Sequence, residues 1–567
     1  MLRLSELKLP LDHDGEALGA AICRRLRIRP DQLRQQRVVK RSVDARRRGA
    51  IQLSYGVEIE LEPELEQQLL QRFRRDPHLQ TAPDTRYRPV AEAPAGIAAG
   101  TIPRPVVVGA GPCGYFCALV LAQMGFRPLL LERGKPVKER SADTFGFWKG
   151  QRPFNPESNA QFGEGGAGTF SDGKLYSQVR DPRHLGRKVL EELVAAGANP
   201  EILVLHRPHI GTFKLATVVR GLRAQIERLG GEIRFEARVE RLELEPGSRR
   251  VRGVVLADGT RIAAEQVVLA VGHSARDCFT MLQEEGVALE RKPFSVGFRI
   301  EHPQPLIDAA RWGDCAGHPL LGAAEYKLVH HASNGRCVYS FCMCPGGLVV
   351  GATSEPGRVV TNGMSQHSRN ERNANSGIVV NIDPGDVEPY GAFAGDPLAG
   401  VAFQRHWEAR AFELGGGTYA APAQRLADFL AGRPSRECGA VKPSYTPGVK
   451  LTDLATALPE PVIAALREAL PAFNRSIEGY AMDDALLTGV ETRTSSPLRL
   501  PRREEREENP LESVNTPGLY PAGEGAGYAG GILSAGIDGI RVAEAVALTL
   551  RRRPHRGAPA GSACGPV

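Results

Sequence analysis

The chain has 567 residues, 42% hydrophobic and 24% charged, with a net charge of +7, an ordinary globular composition with room for roughly three to four domains. No run approaches the ~18–20 uninterrupted apolar residues of a membrane span, and charges within Met1–Lys8 argue against a secretory signal. Ten cysteines without a CxxC pair argue against a disulfide framework and for a reduced, cytoplasmic setting.

The first 90 residues read as a small α/β module. Leu2–Leu9 is an expected strand, Glu16–Leu26 a helix, Arg37–Val43 and Ile51–Leu61 two further strands, and 63–74 a helix opened by Pro63. Residues 21–48 hold eleven Lys or Arg, including Arg24, Arg25, Arg34, Arg37, Lys40, Arg46, Arg47 and Arg48, against Asp31 and Asp44. Such a patch suits nucleic acid or an acidic partner. Without interleaved aromatics or a nucleic-acid motif, a solvated arginine-rich face is the preferred reading. Residues 91–103, rich in Ala, Pro and Gly, are an expected linker, and 551–567 an expected disordered tail.

A new unit opens at Arg104. Val106–Val108 reads as a buried strand running into Gly109-Ala-Gly111-Pro112-Cys113-Gly114, followed by a helix at 113–124 and a second strand ending in Glu132. In this Rossmann-like pattern Gly109 permits the tight turn, Gly111 lets backbone approach a pyrophosphate, and Gly114 allows close helix–strand packing. Free N–H groups at the helix start favour the phosphates. Glu132 is placed to accept ribose hydroxyls and to disfavour a 2′-phosphate. A glycine-rich turn without a ligand is the competing reading, and the agreement of strand, helix and carboxylate weighs against it.

That motif does not separate FAD from NAD. The segment Leu519-Tyr-Pro-Ala-Gly523-Glu524 pairs a short strand with a carboxylate suited to a ribityl chain. The helix starting near Gly531 and Ile532 would aim its N–H groups at the pyrimidine side of a flavin. Nearly four hundred residues part the two motifs, so the FAD-binding domain is expected to be discontinuous: 104–289 and 485–550, with an α+β substrate domain inserted at 290–484.

These motifs, with Glu132-Arg133-Gly134, Val267-Val-Leu-Ala-Val-Gly272 and Phe162-Gly-Glu-Gly-Gly166-Ala-Gly168-Thr169-Phe-Ser-Asp-Gly-Lys174, resemble the glutathione-reductase-like FAD superfamily in its fumarate-reductase-type subgroup. Within it, the chain looks most like bacterial FAD-dependent dehydrogenases of unassigned substrate. Phe341-Cys-Met-Cys-Pro-Gly-Gly347 and Glu491-Thr-Arg-Thr-Ser-Ser-Pro497 carry that likeness. The resemblance implies FAD and an oxidoreductase, not a substrate. It places Val239 against adenine and runs Gly165, Gly166, Gly168 and Thr169 beside the flavin, a flexible surface loop being the alternative for the last four. Many superfamily members carry Asp where this chain has Glu524.

Candidate chemistry lies at the insertion. Cys344 is either a thiol facing the flavin or a small buried strand residue. Without a CxxC, dithiol chemistry is disfavoured. Arg493 is either a cation placed near the flavin or near a substrate carboxylate, or else the structural ion-pair partner of Glu491. Lys174 and His209 are weaker candidates of the same type. Asn362, Asn373, Asn375 and Ser376 suit a polar substrate or turns equally. His330 and His331 lack an acidic third ligand, so no metal site is read. No second GxGxxG exists, so NAD(P)H is expected only as a transient donor beside an unidentified small-molecule substrate. An RNA-linked flavoprotein docking through residues 24–48, and FAD as a structural prosthetic group, are the alternatives.

Overall fold

The computed structural model describes residues 1–47 and 49–552. Arg48 of the basic stretch and the expected tail from 553 onward lie outside the described residues.

The N-terminal part holds β1 (Leu2–Pro10), α1 (Ala17–Leu26), β2 (Gln35–Asp44), β3 (Gln52–Glu60), α2 (Pro63–Arg72) and β4 (Leu79–Thr81). Its sheet has the order β2-β3-β1-β4 and is antiparallel. The apolar alternation of Leu53, Tyr55, Val57 and Ile59 faces the core. Edge strand β2 is covered where Arg41 N donates to Val204 O (2.7 Å) and His206 N to Arg41 O (2.9 Å), which blunts a surface open to another chain. The expected linker is packed rather than free. Ala91 and Ile97 are buried, and Ala93 N donates to Met124 O at 2.8 Å.

The dinucleotide unit follows with β5 (Val106–Val108), α3 (Pro112–Gln123), β6 (Leu129–Leu131), α4 (Val137–Trp148), α5 (Thr212–Arg228) and β7 (Glu232–Arg234). It continues with β8 (Val239–Leu244), β9 (Val251–Leu256), β10 (Arg261–Ala263) and β11 (Val267–Leu269). The inserted part contributes β12 (Phe294–Pro303), β13 (Val329–His331), β14 (Cys337–Gly351), β15 (Thr361–Ser365), β16 (Asn373–Ile382), α6 (Ala399–Leu414), β17 (Ala421–Arg425), β18 (Val449–Leu451) and β19 (Leu486–Glu491). The chain then returns with β20 (Leu519–Pro521) and α7 (Ile532–Arg552).

The fold is α/β. A five-stranded parallel sheet runs β20-β11-β5-β6-β7, with Val267 opposite Leu519 on one side and Val106 on the other. Strands from both ends of the chain therefore share one sheet. Its strands are three residues long, and all but the edge strand β7 are apolar and buried because both faces are covered. The long helices α3, α5 and α7 form one core layer, and the three-stranded sheet β8–β10 covers the other face. The inserted part is an eight-stranded sheet, β13-β14-β16-β12-β19-β17-β18 with β15 on β14. Its order corrects the expected return at residue 485: β19 pairs antiparallel with β12, from Leu486 opposite Glu301 to Glu491 opposite Gly297, so strand pairing carries the insertion's sheet on to Glu491. Among the described residues no helix is long and apolar enough to cross a membrane.

Candidate functional site

The turn after β5 follows from its glycines. Gly109 has φ +104°, and a Cβ there would stand 2.6 Å from Ala270 O. At Gly114 a Cβ would lie 1.8 Å from Gly109 O, so this residue sets the helix–strand approach and does not line the cavity. At Gly111 the nearest atom to an added Cβ is 3.9 Å away, and at Gly272 and Gly530 nothing lies within 4 Å. These last three positions open into a cavity of about 880 Å³, within the ~300–1,000 Å³ range of cofactor sites.

The cavity runs from Glu132, Arg133 and Val239, past Gly111 and Gly166, to the starts of α3 and α7, and on to Lys174, Arg493 and, in the inserted part, Cys342. Gly109, Pro112, Cys113, Gly168, Gly272, Glu524, Gly531 and Ile532 also line it. Glu132 is buried. Its Oε2 accepts from Ala110 N (2.8 Å), and its Oε1 from Gly134 N and Gly163 N (2.9 Å each). Those bonds lock the carboxylate at the strand tip and leave it lone pairs that could accept hydroxyl donors from the cavity. Arg133 pairs with Glu157 and Asp277 and covers the Phe162 ring at 4.2 Å.

The glycine loop is rigid, not a flexible surface strap. The buried Arg140 guanidinium donates to the carbonyls of Asn159, Gly163, Glu164 and Gly166 at 2.7–3.2 Å. Gly165 N donates to Ala110 O at 2.8 Å. Thr169 is behind the cavity wall, its carbonyl accepting from Thr212 Oγ1 at 2.6 Å. Gly523 is also structural: its N–H donates to Asp538 Oδ2 (2.8 Å), and Asp538 holds Arg502. No sequence pattern pointed to Arg140, because its partners are backbone carbonyls of a loop distant in sequence.

His273, which the sequence reading passed over, lies 3.1 Å from Glu524 Oε1. That contact is not a well-directed hydrogen bond, and both ring nitrogens are buried without a partner. A polar ligand in the cavity would supply one. Two helix N-termini, glycine walls a Cβ would protrude from, a carboxylate at each end and an unmatched imidazole together fit FAD.

At the insertion the expected roles are redistributed. Arg493 does not pair with Glu491. Its Nε and Nη2 bond Glu408 at 3.0 and 2.9 Å, and its Nη1 bonds Ser274 and Ser354. Glu408, on α6, also holds Arg276 (2.7 Å). Burial opposes its charge, yet Arg276 and Arg493 keep its carboxyl well below the usual range. Glu491 instead binds Arg299 (2.9 Å). Arg299 also reaches Asn375, Asn362 and the Cys342 carbonyl, so those asparagines serve the arginine rather than a turn. Asn373 bonds Glu301 (2.9 Å), and Ser376 donates to backbone carbonyls. Cys344 is fully buried and off the cavity, whereas Cys342, two residues before it, lines the cavity. Lys174 donates to Met343 O and lies 3.9 Å from Asp172. Burial opposes the Lys174 ammonium, but Cys344, Cys342 and Asp172 outweigh that and raise its pKa. His209 bonds His367 O (2.9 Å) outside the cavity, and His330 pairs with Glu468.

Comparison with known proteins gives three family matches. Residues 293–494 match the C-terminal domain of FAD-dependent proteins, 103–281 match pyridine nucleotide-disulphide oxidoreductases, and 1–60 match a domain of unknown function. An uncharacterized protein of Clostridium beijerinckii is 45% identical over 547 residues, covering 96% of this chain and 98% of that protein. Among solved structures, an E. coli quinol fumarate reductase variant is 15% identical over 79% of this chain and 70% of its own, with a TM-score of 0.34. A Bacillus cereus glycine oxidase is 10% identical over 79% and 95%, with a TM-score of 0.32.

Proposed function

Since the chain belongs to the same family as the Clostridium beijerinckii protein and carries FAD-dependent and pyridine nucleotide-disulphide oxidoreductase domains, we propose that it moves hydride between the flavin N5 of bound FAD and a small polar substrate, with NAD(P)H as a transient donor. The observation that carries this reading is the single cavity extending from the dinucleotide turn into the inserted sheet. A cofactor seated at the first end has its reactive end facing the second. FAD, when bound, supplies two-electron hydride chemistry.

The chain's own residues orient and polarise. The free N–H groups at the start of α3 hold the pyrophosphate. The start of α7 favours negative charge on the flavin's pyrimidine side. Arg493, held by Glu408, and Lys174, near Asp172, bring cationic donors to a substrate end that Asp172 and Glu325 also line, a mixed polar wall that suits a small polar substrate. Tyr326, Tyr339 and Phe341 narrow that end and exclude water.

Anaerobic mixing of the FAD-loaded protein with NADH, NADPH and small 2-hydroxy or 2-amino acids tests this, with bleaching of the flavin absorbance as the readout. At least one donor is expected to reduce the bound flavin faster than free FAD. Reduction by every donor no faster than free FAD would overturn the reading.

A further inference from the structure

Three cysteines line the cavity: Cys113, Cys278 and Cys342. Cys113 sits on α3, one turn from Cys117; burial and Asp538 push both thiols up. Burial pushes the Cys278 thiol up to about 12. Cys113, Cys117 and Cys278 are inert small apolar residues on that account. Cys342 differs in both geometry and surroundings.

Strand β14 is irregular where Cys342 lies. Phe341 pairs with Gly377 and Cys344 with Asn375, so β14 holds an extra residue there, and a second lies between Cys344 and Gly347. Cys342 itself has φ +44°, a left-handed conformation that a non-glycine residue adopts only when its surroundings hold it. Two residues apart on a regular strand, Cα atoms stand roughly 6.5–7 Å apart, at the far limit of the ~4.4–6.8 Å a disulfide spans. The bulge breaks that regular spacing, with Cys342 on the cavity wall and Cys344 buried behind it. Cys344 Sγ also lies 3.4 Å from Cys342 O. Gly363 leaves the room: a Cβ there would stand 2.7 Å from Cys344 Sγ and closer still to Arg299 Nη1.

The charges around the pair favour one thiolate. Arg299 bonds the Cys342 carbonyl at 3.0 Å, and Lys174 donates to Met343 O. Asp172, paired with Arg369, and Glu491, paired with Arg299, face the same cluster. The neighbouring Cys344 thiol, with Arg299 and Lys174, outweighs burial and draws the Cys342 thiol below its usual range, while Cys342 and burial push Cys344 up. One partner is thus a nucleophile open to the cavity, and the other a buried resolving thiol.

Resting on the FAD reading above, we infer that Cys342 and Cys344 form a thiol–disulfide couple that exchanges electrons with the bound flavin. In the oxidising direction the Cys342 thiolate and the Cys344 thiol form an S–S bond and release two electrons and one proton, which bound FAD takes up. In the reverse direction the two electrons and the proton cleave that bond.

Anaerobic dithionite titration of the air-oxidised, FAD-loaded protein tests the couple. The wild type is expected to take up two electrons beyond the two that reduce FAD, and Cys342→Ser and Cys344→Ser only the latter two. Should a variant misfold, peptide mapping of the wild type reads the same question: under denaturing alkylation the air-oxidised chain is expected to yield a Cys342–Cys344 peptide about 2 Da light and unalkylated. Bound FAD with two-electron uptake and both cysteines alkylated overturns the couple alone. A purified chain that binds no FAD overturns the functional reading as well.

Discussion

Glycines in one short motif carry opposite burdens, and substitution separates them. Gly114→Val drives side-chain atoms into Gly109 O, which an added Cβ would already approach to 1.8 Å; overpacking of this kind costs about 1–3 kcal/mol. A lowered melting temperature of the FAD-free protein is expected, and an unchanged one would refute the packing role. Gly111→Glu meets only open cavity, so its FAD-free melting should match the wild type while the yellow chromophore is lost. Retention of full flavin absorbance would overturn the placement of the pyrophosphate. Glu408→Gln leaves Arg276 and Arg493 short of countercharge in the interior, and breaking a buried pair costs about 3–5 kcal/mol; urea denaturation reads this directly. The glycine motif was legible because it is local. Arg140, Arg299 and Glu408 were not, since their partners lie on strands and loops far away in sequence. The choice between Cys342 and Cys344 hung on a bulge, and a bulge reverses alternation without marking the residue string.

Elements with a strong apolar period were read nearly to their ends. Val106–Val108 was placed at its observed bounds, and the module's strands and helices to within a few residues. The insertion's return was misplaced because Leu486–Glu491 is buried on both faces, and its mixed sequence suits either sheet. Strand β12 carries a testable consequence. His302 is wholly buried, with Nε2 2.7 Å from Tyr480 O and Nδ1 unpartnered; burial lowers its pKa from 6.5 to about 4. Between those values the unfolded chain binds a proton that the folded chain refuses, so this residue's contribution is present at neutral pH and lost as pH falls from about 6.5 toward 4. Glu301 and Glu491, raised chiefly by burial, act in the opposite sense. The histidine's share is therefore read as the difference between the wild type and His302→Asn in denaturant midpoints from pH 7 to 5. The gap is expected to narrow with falling pH, and a constant gap would refute the assignment.

At the scale of the molecule, the basic stretch is largely neutralised at home: Arg25 pairs with Asp76, Arg34 with Glu62, Arg37 with Glu58 and Arg46 with Asp44. Purified protein is expected to carry flavin but no nucleic acid; RNA retention with steep salt dependence would overturn this. FAD seated in this cavity would join β5–α3 to β20–α7, so adding it at 100 times its dissociation constant should raise stability by about 2.7 kcal/mol, read as a concentration-dependent melting temperature. The parallel sheet also sets a timetable for synthesis. Helix α3 has its apolar surface ready by residue 123, whereas β20 and α7 leave the ribosome some four hundred residues later, roughly 20–90 s at ordinary elongation rates. Through that interval a nascent chain has half a coenzyme cradle and an uncovered helix face, which is a reason to hold a chaperone. It also means that colour reports completion: a chain interrupted before its final helix should stay colourless, however well its first five hundred residues have folded.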